Sequence, residues 1–189
     1  KILSKNGWGP DVLETAPKMV YGLHLFAQRD QTKTAGMLAT EAADLTLDGT
    51  RLFASDVLLN NTLLNIVNKN VPSNFLNGIH NASDGKTKIV ADSFSVKDNS
   101  RIVVGADAEL DLTESEEVLV QNNKAETSGG AISVSKGGVL NVDNASIVNN
   151  SSSSFGGAIW NQGTVNVNNA QFDGNTALSG GAISMYTAP

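Results

Sequence analysis

The chain of 189 residues contains no cysteine, which excludes a disulfide framework and any thiolate metal site. Aromatic residues make up only 5% of it, so a core has to be assembled from aliphatic side chains. No apolar run approaches the ~20 residues that a membrane-spanning helix requires. The formal charge is −6 and Lys and Arg form no cluster that would neutralise phosphates, so nucleic acid is not an expected partner. Short catalytic motifs are missing too, with no Gly-x-Ser-x-Gly, no phosphate-binding glycine loop and no His-Glu-x-x-His. The two histidines, His24 and His80, lie far apart and read as surface or cap residues. No catalytic, cofactor-binding or metal-binding residue is nominated.

What the chain does contain is a repeat. Gly-Gly-Ala-Ile occurs at Gly129, Gly130 to Ile132, at Gly156, Gly157 to Ile159, and at Gly180, Gly181 to Ile183, at intervals of 27 and 24 residues. Each copy follows an apolar residue with an Asn three positions on: Val120 and Asn123, Ile147 and Asn150, Phe172 and Asn175. Short alternating stretches lie upstream again, such as Leu140-Asn141-Val142 and Val165-Asn166-Val167, and period-two alternation rich in β-branched residues predicts strands. One coil reads as strand over 131–134, turn at 136–138, strand over 139–142, turn at 143–144, strand over 145–148 and an Asn-rich corner. A fixed period with three short strands per unit predicts an all-β, right-handed parallel β-helix, each coil burying its apolar face against its neighbours.

Residue types at the repeated positions have physical reasons. Successive coils of a parallel stack lie about 4.8 Å apart, so like stacks on like. The expected internal columns are Leu110, Leu140 and Val165, then Leu112, Val142 and Val167, then Ile132, Ile159 and Ile183. Asn123, Asn150 and Asn175 are expected at one corner, their amides bonding to one another and to turn backbone. Paired glycines suit a bend that needs positive φ or a close approach of coils.

The first half is less regular. Residues 1–43 carry no repeat and are expected to form an N-terminal cap or an irregular segment, with a short helix within residues 35 to 44. From Asp44 on, strand-like pieces follow: 45–47, 52–53, 57–59, 63–67, 75–79, 89–90, 94–96 and 102–104. At ~25 residues per coil, residues 44–189 hold about six coils, regular from about residue 110. After Gly180 to Ile183 only six residues follow, so the last coil stops after its first strand, and an open solenoid end exposes unpaired edges. The expectation is therefore that the native protein continues past Pro189, and that Lys1 marks a processed or excised start.

Two surface features stand out. Asp107, Glu109, Glu114, Glu116 and Glu117 crowd one turn, read as a solvated loop rather than a cation site. Trp160 directly follows a Gly-Gly-Ala-Ile and should point outward, where it either contacts a sugar or protein partner or packs on a loop or a neighbouring domain.

Gly-Gly-Ala-Ile alternating with Phe-x-x-Asn, written once here in strict form as Phe172-Asp173-Gly174-Asn175, resembles the passenger domains of bacterial autotransporters, especially the polymorphic outer-membrane proteins of chlamydiae. The wording of residues 156–167 is similar to repeats in such passengers. The resemblance covers 110–189 and implies a non-catalytic surface domain, extracellular or secreted, carried by a C-terminal translocator barrel outside this sequence. It would act as an adhesin or surface scaffold, presenting loops such as 113–117 and 151–155 to host or neighbouring-cell proteins or glycans. Two other readings stay open: a carbohydrate-active β-helix enzyme, and a filament unit associating end to end.

Overall fold

The computed structural model describes residues 24–25, 37–41, 44–68, 80–81 and 86–186. These residues contain strands and turns and no helix, and parallel strands wind into a β-solenoid. The unbroken stretch 86–186 makes about four turns. Upstream, the same columns continue through Met37–Glu41 paired with Thr50–Asn60 and through Asp44–Asp48 paired with Leu63–Val67. The count of six coils and the cap over 1–43 depend largely on segments outside the described residues, as does the strand expected at 75–79.

Two sheets form the walls. One is six-stranded and stacks Asp44–Asp48, Leu63–Val67, Arg101–Val104, Ile132–Val134, Ile159–Asn161 and Ile183–Met185. The other is eleven-stranded and bends into two lateral faces. Lys86–Lys97 shows how. Its N-terminal part pairs with Glu109–Asp111 and its C-terminal part with Glu117–Gln121. Burial along this strand alternates through Thr87, Ile89 and Ala91, then slips by one residue at exposed Asp92 before Phe94 and Val96 point inward. A one-residue slip turns the inward side of an extended chain, and here that makes the corner. Buried Ser115 of the next coil fills it, accepting from Ala91 N at 3.2 Å and donating to Ile89 O at 3.1 Å.

The registers match the expected columns. Leu110, Leu140 and Val165 pair in line, as do Val142 with Val167 and Ile132, Ile159 with Ile183. The isoleucine column also extends upstream through Ile102 and Leu64 to Leu45. Another column runs Leu59, Val96, Val120, Ile147, Phe172. Strands Val139–Val142 and Ala145–Val148 occupy the expected spans.

Two expectations are corrected. The helix within residues 35 to 44 does not form over its described part: Met37–Glu41 is a strand in parallel register with residues 56–60. Met, Leu, Ala and Glu are good helix formers, but intrinsic propensity is small against tertiary pairing, and pairing with a neighbouring coil overrides it. The separate pieces at 52–53 and 57–59, and at 89–90 and 94–96, are each one continuous strand, Thr50–Asn60 and Lys86–Lys97. Pairing along both lateral faces carries the ladder through the corner.

Candidate functional site

The repeated residues meet at one edge of the solenoid. Asn123 Nδ2 donates to Asn150 Oδ1 at 3.0 Å, and Asn150 Nδ2 donates to Asn175 Oδ1 at 3.0 Å. The same oxygens accept the backbone N–H of Asn123 and Asn150, at 3.1 and 3.0 Å. The remaining amide hydrogens reach the coil above, where Asn123, Asn150 and Asn175 donate to the carbonyls of Val96, Val120 and Ile147. Asn123 and Asn150 are fully buried and each still satisfies its amide, which is the condition for keeping a polar group inside.

This ladder runs further than the asparagines. Ser100 N donates to Asn123 Oδ1 at 2.9 Å, and Thr62 N donates to Ser100 Oγ at 3.0 Å. Each ladder residue follows one in the left-handed region: Asn61 before Thr62, Asn99 before Ser100, Asn122 before Asn123, Asn149 before Asn150 and Gly174 before Asn175. That is the physical content of the apolar-x-x-Asn spacing. The apolar side chain enters the core, the middle residues turn the chain with one positive φ, and the Asn ties the corner to the next coil. Sequence spacing missed Ser100 because it lies four residues after Val96. Asp98 and Asn99 both adopt positive φ, 55° and 67°, and absorb the extra residue. The dipeptide of Asn or Gly before a small polar residue was the available signal.

The four letters of Gly-Gly-Ala-Ile do separate work. Gly129, Gly156 and Gly180 have φ of 69°, 62° and 65°, a region that side chains penalise. The second glycine is needed for contact. A Cβ on Gly130 would lie 1.9 Å from Gly157 O, and one on Gly157 would lie 1.9 Å from Gly181 O. Ala131 and Ala158 are fully buried, and the isoleucine fills the core column. Both reasons expected for the paired glycines hold, divided between the two members.

Between the Asn corner and the glycine corner the chain leaves the wall as a small flap. Lys124–Ala125 pairs with Ser151–Ser152, and Ser151 bridges to Thr176, so flaps of successive coils stack in register. Where the flaps begin, Arg101 of the coil above donates from Nη2 to Ser128 O at 2.9 Å. Its Nε is buried without a partner, and desolvation lowers its pKa.

Trp160 lies in the outward column between Ser133 and Ser184. Its ring centroid is 5.3 Å from that of Phe155 on its own flap and 5.9 Å from that of Tyr186 in the following coil, each pair tilted by about 30°. Trp160 thus packs on its own flap and on Tyr186, and the row leaves Phe155 and Tyr186 exposed. Sequence reasoning did not join these three rings. The acidic turn is tied down on one side, by Lys86 to Glu109 at 3.0 Å and by Lys88 to Glu114. Among the described residues no group of three His, Cys, Asp or Glu could hold a metal ion, and no helix is long and apolar enough to cross a membrane. His24 and His80 lie on separate strands, His24–Leu25 and His80–Asn81.

No curated protein and no solved structure matches this chain. A family model does, at residues 117–135 and 144–162. Each matched span starts in the turn or strand before an apolar-x-x-Asn corner, runs through the flap and ends after the Gly-Gly-Ala-Ile strand. The geometric unit and the sequence unit therefore coincide: residues 117–135 and 144–162 each match the model of the Chlamydia polymorphic membrane protein repeat, a likeness consistent with an autotransporter-passenger repeat.

Proposed function

We propose that this chain is a non-catalytic surface passenger domain that acts as an adhesin, a rigid rod presenting its lateral faces and flaps to a protein or glycan on a host or neighbouring cell. The observation that carries the reading is the pair of adjacent polymorphic membrane protein repeats within a continuous parallel solenoid. A solenoid suits this work because every coil offers the same face again, and repeated weak contacts sum to avidity. In this reading a translocator barrel carries the domain to the outer membrane, and the segment holds about six coils.

The test has two parts. Antibody raised against the chain should label intact bacteria that express the whole protein, and beads coated with the chain should adhere to cultured epithelial cells more than beads coated with albumin. Labelling seen only after permeabilisation would sink the surface assignment. Coated beads that adhere no better than albumin beads would remove the adhesin role. Release of new reducing ends from polysaccharides incubated with the chain would contradict its non-catalytic character.

A further inference from the structure

The lateral face formed by Glu109–Asp111, Val139–Val142 and Thr164–Val167 carries a groove that none of the repeat motifs accounts for. It has a volume of about 590 Å³, and its polar lining is Asp111, Thr113, Asn141, Asp143, Asn166 and Asn168. Asp111, Asn141 and Asn166 stand in one outward column, on three successive coils. The groove therefore runs along the solenoid axis, with a polar side chain at every rung of about 4.8 Å.

These side chains are held in place by one another. Asn166 Nδ2 donates to Asn141 Oδ1 at 2.8 Å, and Asn141 Nδ2 donates to Glu109 Oε1 at 3.0 Å. Asn168 and Asn169 donate to Asp143 Oδ1 at 3.2 and 3.0 Å, and Asp111 Oδ1 accepts from Thr113 N and Oγ1 at 2.9 and 2.6 Å. Each of the amides Asn141 and Asn166 uses one N–H in this way, leaving a second donor, and the carboxylates of Asp111 and Asp143 use one oxygen, leaving the other. The result is a row held by its own bonds, with spare acceptors on Asp111 and Asp143 and spare donors on Asn141 and Asn166.

Charge selects the class of ligand. No Lys or Arg lines the groove; Lys88, in register with Asp111 on the adjoining coil, is paired with Glu114, and Lys86 with Glu109. A sulfated or uronate chain would meet the carboxylates of Asp111 and Asp143 with no cation in the lining, whereas hydroxyl groups can both donate to carboxylate and accept from amide. We infer that this groove binds an extended neutral polysaccharide strand lying parallel to the solenoid axis, its sugars spanning successive rungs. The inference rests on the adhesin reading for its biological setting, and it names a glycan as the partner.

The chain is applied to an array of neutral, sulfated and uronate oligosaccharides, and the affinity of a retained neutral hexasaccharide is then measured by titration calorimetry. Retention of neutral linear glycans in preference to anionic ones is the expected result. Affinity should fall at least about tenfold in the Asn141→Ala/Asn166→Ala double variant at an unchanged Tm. If that variant loses its cooperative melt, Asn168→Ala, on an exposed turn, supplies the comparison and should show a smaller drop. Retention of no neutral glycan, preference for anionic ones, or undiminished binding by the groove variants overturns the inference. Cell adhesion by coated beads that persists in the double variant would overturn the groove while leaving the adhesin role standing. Glycan binding by a chain whose beads adhere to no cell would do the reverse.

Discussion

The two halves of this solenoid share their columns but turn their corners differently. In the upstream coils the ladder residue leads straight into the wall: Thr62 is followed two residues later by Leu64, and Ser100 by Ile102. Downstream, the same two positions are separated by a flap, Asn123 from Ile132 and Asn150 from Ile159 by nine residues and Asn175 from Ile183 by eight. A chain that leaves the wall must come back to it, and the return is what Gly-Gly-Ala-Ile provides. The motif is thus a consequence of having a flap, and its absence before residue 129 reflects a shorter corner in the same fold. The ladder shows the matching change. Hydroxyl side chains suffice at the short corners, while buried asparagines, with two donors and an acceptor, serve where the corner must hold a projecting loop.

The glycine corner supplies the hardest test of this contrast. Gly157→Val would force a side chain into the space occupied by Gly181 O and Thr176 O, 1.9 and 2.5 Å from its Cβ. Backbone cannot yield there without separating two coils, so a loss of about 4 kcal/mol or more is expected. Ser152→Val, on the partly exposed face of the same flap, should stay within about 0.5 kcal/mol of the parent. Denaturant melts of the two variants decide the point, and equal midpoints would contradict the assignment of the close contact.

Next in size is the ladder. Asn150→Ala removes the acceptor shared by Asn123 N and Nδ2 and the donor to Val120 O and Asn175. With buried groups left unsatisfied, a cost of about 3 kcal/mol is expected, against about 1–2 kcal/mol for Ser100→Ala at a short corner. Hydrogen exchange at the Asn123 amide should accelerate in the first variant and not in the second.

Arg101 sits at the junction of the two halves. Arg101→Met keeps the half-buried stem, removes an orphaned Nε and gives up the bond to Ser128 O. These changes oppose one another, so global stability should move by no more than about 1 kcal/mol. Cleavage within the flap at 124–131 by a nonspecific protease should nevertheless become faster. Lys88→Ala should have the smallest effect. Its Glu114 partner is largely exposed, so a double-mutant cycle on the pair should give about 0.5 kcal/mol, falling with added salt.

Residues 110–189 were legible because their repeat stacks identical letters at identical corners, which makes period and register one observation. Leu140, Ile159 and Asn150 each stand opposite the residues that spacing assigns to them. The upstream half obeys the same pairing rules with substituted letters, so Thr62 and Ser100 do not announce themselves as partners of Asn123. The outward groove was illegible for another reason. Asp111, Asn141 and Asn166 read individually as the polar members of alternating strands, and only stacking joins them into a row.

By itself the sequence determined the solenoid, its rung spacing, the inward columns and the residues of the repeating corners. Those follow from local periodicity and from the steric freedom of glycine and asparagine, which act within one coil. Tertiary structure decided what lies between coils: that Met37–Glu41 extends a sheet, that Arg101 holds the first flap, that Phe155 and Tyr186 flank Trp160, and that three outward side chains make a groove. Each of these depends on which residues of separate coils come to lie at the same height. That alignment is set by corner lengths summed along the chain, and no single stretch of sequence contains it.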